Sequence, residues 1–596
     1  MNESQISWDL TELFTTHDDP KIDEIIKNLN KVLEGFIKEY KGKINAPNFT
    51  ANDLLKLFKK QEDFESSLGE IMTFAYILYD ANMEISESEA LKNKVTQFST
   101  EAHKKLAFLE LEIGKYVYEN ESLIKDPLLQ NYKHYLEKIR RSYPHLLSET
   151  EEQLVLEKDQ FGIREWSQLQ GKWLNTRKFK VMVEGVLKVL SYGEANSLLS
   201  HPDRSTRISA DKSIYQKLGE DQYIFSTALR NICGDWMKMS ARRKFNNPMH
   251  SSLIINDTTQ EIIENLMTTV EKNVGVYQRY LRLKAKLLKI PKLNYADVLA
   301  PLLESPDKRF SWQEAKSLAL KAYNNFDENF TSYVRDMFER NHIDASIRKG
   351  KRNGAYCASW YKGKSAFVLM PFAGQMREIY TLVHELGHAI HSYIASREQT
   401  YLNLHPGYTV SETASTFGEI LLTDLLLEKS KSDIEKESIL AQVLDETGMS
   451  VFQVSARLWF EQSLYDAISR GEYLDGQTIS KYWVTGREKI YGDSVDFLPE
   501  LIWEWAMKPH YFRIGLRFYN YPYVYAQLFV YALYQTYKKE GKEFIPKFKK
   551  LLAAGGSLSP EELGAIVGLD ITKPDFWELG IKQYKEFVDE LENLMK

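Results

Sequence analysis

His384-Glu385-Leu386-Gly387-His388 is an HExxH motif. On a helix, residues i and i+4 share a face, so His384 and His388 present two imidazole nitrogens to one Zn²⁺. Glu385 falls beside the ion rather than under it, where it can reach a water on the ion and act as general base. Leu382, Leu386, Ala389 and Tyr393 make an apolar stripe along the same helix. The motif is therefore predicted on an amphipathic helix, from about Gln375 to Ala395, with its polar face intact. A solvated face carrying a salt-bridged Glu fits less well, because the helix context and a downstream carboxylate both suit a metal.

A catalytic zinc takes a third protein ligand and keeps one position open. The metzincin spacing requires Gly and His where this chain has His391 and Ile394, so that form is excluded. Glu398, Glu412 and Glu419 are the nearest downstream carboxylates. Glu412 and Glu419 lie in Ser411-Glu-Thr-Ala-Ser-Thr-Phe-Gly-Glu419, which reads as a helix and puts both on one face two turns apart. One can bind the ion while the other accepts the second N–H of a bound imidazole. Thr409-Val-Ser-Glu412 also has the form of a capping box, a competing use for Glu412.

The elements that must position these residues read mostly at helical period. Leu54, Leu57, Phe58 and Phe64 mark one amphipathic helix; Leu106, Leu109, Leu111 and Ile113 mark another. Residues 1–200 are predicted as an N-terminal helical domain. The His201-Pro-Asp-Arg204 helix start divides it from a catalytic domain over 201–596. The exception is a β-hairpin: Gly354–Trp360 and Ala366–Met370 are strand-like runs around the turn Lys362-Gly-Lys364. The predicted fold is mainly α, with a small sheet close in sequence to the HExxH helix.

Composition removes several classes of function. The chain has 596 residues and a net charge of −6, against a general nucleic-acid binder. Its two cysteines, Cys233 and Cys357, make no disulfide framework and suit a reducing compartment. Met1–Leu10 has no apolar run behind a basic start, and Leu528–Tyr534, the most apolar stretch, is far too short to span a membrane. A cytoplasmic protein with no membrane or nucleic-acid partner is expected. The basic stretch Leu283–Lys292 reads as a solvated helix face.

Thr381-Leu-Val-His-Glu-Leu-Gly-His-Ala-Ile-His-Ser-Tyr393, followed by Ser411-Glu-Thr-Ala-Ser415, resembles the M3 family of zinc oligopeptidases, and within it the oligoendopeptidase F branch. Ser7-Trp-Asp-Leu-Thr-Glu-Leu-Phe14, Arg348-Lys-Gly-Lys-Arg-Asn-Gly-Ala-Tyr-Cys357 and Phe518-Tyr-Asn-Tyr-Pro-Tyr-Val-Tyr525 are similar to segments of that family, so the resemblance spans nearly the whole chain. It implies His384, His388 and Glu412 as ligands of one zinc ion per chain, and Glu385 as the base. It implies two largely helical parts enclosing a deep channel, a zinc endopeptidase activity on short unstructured peptides, and an oxyanion donor from the C-terminal segment. His510 and Tyr523 are expected as those donors, although Gln527 stands where many relatives have Tyr. His391 is expected to be structural.

A strand from Gly354 to Trp360 at a sheet edge can add an extended peptide as one more strand. Gly354, Tyr356 and the C-terminal Tyr519 are expected to contact substrate. Arg348, Lys349, Lys351 and Arg352 read as a solvated turn or a clamp for a substrate carboxylate. Two alternatives are a zinc hydrolase of non-peptide amides or esters and a non-catalytic peptide-binding protein. Glu385 argues against the second, since binding alone needs no general base.

Overall fold

A computed structural model describes residues 6–302 and 309–596; the first five residues of the Met1–Leu10 segment lie outside the described residues. The chain is mainly helical, with small sheets. It divides into two compact units, each discontinuous in sequence. The first comprises Met1–Pro144, Asp307–Glu428 and Thr536–Asp570; the second comprises His145–Pro306, Lys429–Gln535 and Ile571–Lys596.

The first unit begins with three helices, α1 (Pro20–Tyr40), α2 (Ala51–Ala81) and α3 (Ser86–Glu119). Helix α2 starts at a capping box, Thr50 with Asp53, which satisfies backbone N–H groups left open at a helix start. The predicted positions Leu54, Leu57, Phe58 and Phe64 are all buried, as are Leu106, Leu109 and Ile113, while Leu111 is only half-buried. Their core continues into a three-stranded sheet through Trp360, Phe367 and Leu369.

That sheet runs β1 (Ile343–Asp344), β3 (Ser365–Leu369), β2 (Tyr356–Trp360) in spatial order. Strands β2 and β3 form the predicted hairpin, antiparallel with Tyr356 opposite Leu369 and Trp360 opposite Ser365. The turn is tight: a side chain on Gly363 would strike the Trp360 ring. The two-residue β1, parallel to β3, was not predicted, because two residues are too few for a periodicity. The Ile6 carbonyl accepts from Ala345 and Ser346 N–H, and Trp8 packs edge-on against Phe367. The segment similar to the family's start is thus fastened to the sheet.

The basic cluster before β2 is a solvated turn only in part: Lys349 is 88 % exposed, whereas Lys351 is buried. Arg348 forks onto the fully buried Asp344 at 2.7 Å through both terminal nitrogens. Lys351 Nζ is buried on the same carboxylate at 2.7 Å and donates to the Met370 carbonyl. Arg352 pairs with Asp80 at 2.8 Å and Lys349 with Glu84 at 2.8 Å. Arg348 and Lys351 serve the fold.

Three further helices follow the sheet: α4 (Met376–Glu398), the short α5 (Tyr408–Ser411) and α6 (Thr413–Lys429). Glu378 starts α4 by accepting from the Gln375 and Ala373 N–H groups. Ile379, Leu382, Leu386, Ala389 and Tyr393 are buried, as the apolar stripe predicts. The first turns of α6, Thr413–Gly418, are buried without a break, which marks a central helix.

The second unit is also mainly helical, with a hairpin, Phe179–Val183 with Val186–Leu190, inside the stretch predicted as helical bundle. Lys284 corrects the reading of Leu283–Lys292 as a solvated face: it is fully buried, with Nζ 2.6 Å from Asp445 Oδ2 and 2.6 Å from the Val298 carbonyl. Asp211 is buried near Glu504, and its carboxyl is pushed up from 3.8 to about 7, first by burial and then by the Glu504 charge. Between those two values the folded state holds a proton that the unfolded state has released. Stability contributed by this group is therefore fully present below pH 3.8 and is lost as pH rises toward 7, at up to about 1.4 kcal/mol per pH unit. Asp211→Asn is expected to remove that loss, so its stability relative to wild type climbs over the same window. Urea unfolding followed at several pH values measures it; a constant difference would refute it.

Candidate active site

Helix α4 places His384 and His388 one turn apart, both about a quarter exposed. Glu412 approaches them from the junction of α5 and α6. Its own backbone (φ −85°, ψ 7°) interrupts what would otherwise be one helix, a conformation in which active-site residues recur. The carboxylate does not cap a helix as the Thr409–Glu412 pattern suggested: α5 begins after Gly407 instead. Glu412 Oε2 lies 3.3 Å from His384 Nε2 and 3.3 Å from His388 Nε2.

These spacings test whether a metal fits. Tetrahedral zinc with bonds of about 2.0–2.1 Å separates its ligand atoms by about 3.3–3.4 Å. Two edges of such a tetrahedron are present at 3.3 Å, and all three donor atoms lie within 4.8 Å of one another. The donors and their spacing suit zinc. Among the described residues, this is the one group of His, Cys, Asp and Glu close enough to share an ion. Glu398, the nearest downstream carboxylate in sequence, is not in it.

The donors are themselves oriented. His384 Nδ1–H donates to Glu419 Oε1 at 2.6 Å, which directs Nε2 toward Glu412 and the ion site. The Ser415 hydroxyl donates to Glu412 Oε2 at 2.7 Å. Burial works against charge on His384, but the Glu412 and Glu419 carboxylates outweigh it and hold the imidazole pKa well above its ordinary value. Burial likewise opposes charge on Glu412, yet its hydrogen bonds to the two imidazoles pull its pKa far down. Removing an outer partner of this kind costs about 10–100-fold in metal affinity. Glu419→Ala is expected to weaken zinc binding by about that factor in competition with a chromophoric chelator. Unchanged affinity would show that Glu419 does not orient His384.

Glu385 points to one side of the donor set. It is 7 % exposed, and burial raises its carboxyl above the ordinary value against the pull of His384 and His388. Together with His388 it lines a cavity of about 320 Å³ bounded by β2, α4 and the loop before α5. Tyr356 lines the same cavity, its hydroxyl tied to Asp80 at 2.9 Å. Gly354, just before β2, has φ +92° and open space where a side chain would be. His391 is buried on α4 against the Leu552 backbone, outside the donor set, and its pKa falls to about 4 through burial and the neighbouring His388 and His405.

The C-terminal candidates lie in the second unit and gather there. His510 and Tyr519 stack with ring centres 6.0 Å apart, and Tyr519 meets Tyr523 edge-on at 5.6 Å. His510 is kept neutral, its pKa lowered to about 4 by burial and then by Arg457, Arg513 and Lys508. Burial, reinforced by Tyr519, holds the Tyr523 phenol up at about 12. The alternate tyrosines Tyr521 and Tyr525 are core: one donates to the Ser252 carbonyl, the other packs on Trp577.

Gly387, Ser415, Ser359 and Ser392 were not singled out from the sequence. Gly387 carried a signal, since Gly inside a helix costs about 1 kcal/mol and so points to a close approach. A side chain there would lie 2.5 Å from the Ala414 carbonyl oxygen and 2.5 Å from Ser415 Cα. The bare backbone lets α6 lie against the motif and bring Glu412 and Glu419 to His384.

A helical fold with an HExxH helix, a carboxylate as third ligand from a crossing segment and a carboxylate base alongside defines a zinc-type metallohydrolase. Comparison with known proteins narrows this. Residues 197–583 match Peptidase family M3 and residues 119–179 match Oligopeptidase F. The chain is 26 % identical to oligopeptidase PepF of Bacillus subtilis, covering 100 % of this chain and 88 % of the relative. It is 27 % identical to group B oligopeptidase PepB of Streptococcus agalactiae, covering 100 % and 98 %. The crystal structure of oligoendopeptidase-F from Enterococcus faecium superposes with a TM-score of 0.69 at 23 % identity, over 97 % of this chain and 99 % of that one. The chain belongs to peptidase family M3. It is a metallo-oligopeptidase of the oligopeptidase F type, and the family implies zinc.

Proposed function

We propose that this chain cleaves internal bonds of short unstructured peptides, using one zinc ion held by His384, His388 and Glu412. The observation that carries this reading is the pair of 3.3 Å ligand spacings with Glu385 beside them. Zinc in such a site supplies a Lewis acid that activates water and polarises a carbonyl. Glu385 takes the proton of the attacking water and returns it to the leaving nitrogen. Gly354 and Tyr356 support an extended substrate at the free edge of β2. His510 and Tyr523, un-ionised and clustered with Tyr519, supply N–H and O–H donors suited to an oxyanion.

The family matches support a division of labour between an N-terminal helical part, residues 1–200, and a catalytic part, 201–596. Free Cys233 and Cys357, with no helix of the described residues long and apolar enough to cross a membrane, support a cytoplasmic setting. The test is a library of quenched peptides about 5–20 residues long, digested with and without chelator, then with zinc restored. Internal cleavage that stops with chelator and returns with zinc is expected. Zinc-loaded protein that cuts no peptide would refute it.

A further inference from the structure

The cavity of about 320 Å³ beside Glu385 is not used by the metal donors other than His388. Along α4 its wall is Glu385, His388, His391, Ser392 and Ala395, successive turns of one helix face. The opposite wall is β2, and Ser359 Oγ on that strand meets Ser392 Oγ at 2.7 Å, so the two walls join. Leu404 and Pro406 add apolar surface from the loop before α5. Apart from Glu385, the lining carries no Asp, Glu, Lys or Arg.

Proton transfer fixes which part of a substrate lies here. Glu385 must reach the leaving nitrogen to protonate it. The α-carbon attached to that nitrogen is one bond further, so its side chain is directed into the space that Glu385 itself lines. We propose that this cavity is the side-chain pocket for the residue on the amine side of the cut bond, and that it selects neutral, medium to large residues such as Leu, Met, Phe and Tyr. The proposal rests on the reading of Glu385 as general base.

Charge enforces the selection in two ways. An acidic side chain meets the Glu385 carboxylate with no Lys or Arg in the lining to pair with it, so it binds poorly. A basic side chain pairs with Glu385 and occupies the base, so such a substrate binds but turns over slowly. Aspartate and glutamate at this position are expected to raise KM, lysine and arginine to lower kcat. The hydroxyl pair Ser359–Ser392 sets the depth of the pocket.

The experiment digests peptides varied at each position around the cut and identifies the products by mass spectrometry. Wild type is expected to favour Phe over Glu on the amine side by at least about tenfold in kcat/KM. Ser392→Leu, which shortens the pocket, is expected to shift the ratio of Ala to Phe at that position by about tenfold. Ser359→Lys, which supplies a cation, is expected to raise Glu relative to Phe by a similar factor. Preferences that stay put in both folded variants, or that change on the acyl side instead, would overturn the pocket assignment. A second measurement needs no variant: as inhibitors of the wild type, Phe-Gly-Gly is expected to outcompete Glu-Gly-Gly by about tenfold, and equal inhibition would overturn it. If wild type cuts no peptide, the general-base reading itself fails; if it cuts without these preferences, only the pocket fails.

Discussion

Glu385→Gln is expected to lower kcat by about 10³-fold or more while zinc content and fold stay as in wild type. The amide matches the carboxylate in shape but cannot take a proton from water. Glu385 belongs to no ligand spacing, so its replacement leaves the 3.3 Å donor set in place. This separates it from Glu419→Ala, whose defect is weaker metal binding and is therefore relieved by excess zinc. The measurement is single-turnover peptide cleavage on protein whose zinc has been counted. A metal-loaded Glu385→Gln protein with full activity would remove Glu385 from the chemistry.

Gly387→Ala is expected to cost about 10²-fold in kcat/KM, together with a loss of stability. Two effects oppose each other. Alanine improves helix propensity by about 1 kcal/mol. Its methyl, however, would lie 2.5 Å from the Ala414 oxygen and 2.5 Å from Ser415 Cα, both of them backbone atoms that no rotamer change can move. Overpacking of this kind costs about 1–3 kcal/mol, so the contact wins. Relief requires α6 to shift, and Glu412 and Glu419 shift with it. A displacement of about 1 Å at a catalytic constellation is worth about 10²-fold. Urea unfolding and zinc titration check both parts; a variant as stable and as tightly metallated as wild type would show that the helices have slack.

How far the sequence could be read depended on how local each signal is. The HExxH helix, its apolar stripe and the hairpin are set by residues within a few positions of one another, and all three appear where the spacing puts them. Glu412 was harder. Its neighbours fit a capping box equally well, and only a chain approaching from elsewhere turns it toward two histidines. The resemblance to M3 peptidases supplied what spacing could not. The basic run Arg348–Arg352 shows the limit from the other side. Arg348 and Lys351 pair with the nearby Asp344, but the partners of Arg352 and Lys349, Asp80 and Glu84, lie more than 250 positions away, where no local pattern reveals them. Lys284 and Asp445 repeat the lesson in the second unit.

The pocket was illegible for the same reason. Ser359 and Ser392 are unremarkable residues on a strand and a helix, and they matter only because their hydroxyls meet at 2.7 Å. The C-terminal tyrosines were partly legible. Their alternation drew attention to the segment, yet it did not separate Tyr521 and Tyr525, which hold the core, from Tyr519 and Tyr523, which join His510.

The interleaving of the two units along the chain governs how the protein is made. The first unit includes Thr536–Asp570 and the second includes Ile571–Lys596, so neither is complete until residues beyond 535 have been made. A nascent chain that has emerged as far as residue 500 already carries all three metal donors. It lacks the Phe544–Ala553 helix that packs on α4 and the Leu552 backbone that His391 meets. Long-range closure of this kind is slow, and exposed apolar helix faces invite aggregation while it is pending. The first unit therefore closes only once Thr536–Asp570 has emerged, and the donor set reaches its final geometry as a late step. C-terminal truncation, even far from the HExxH motif in sequence, strikes at the assembly of that helix.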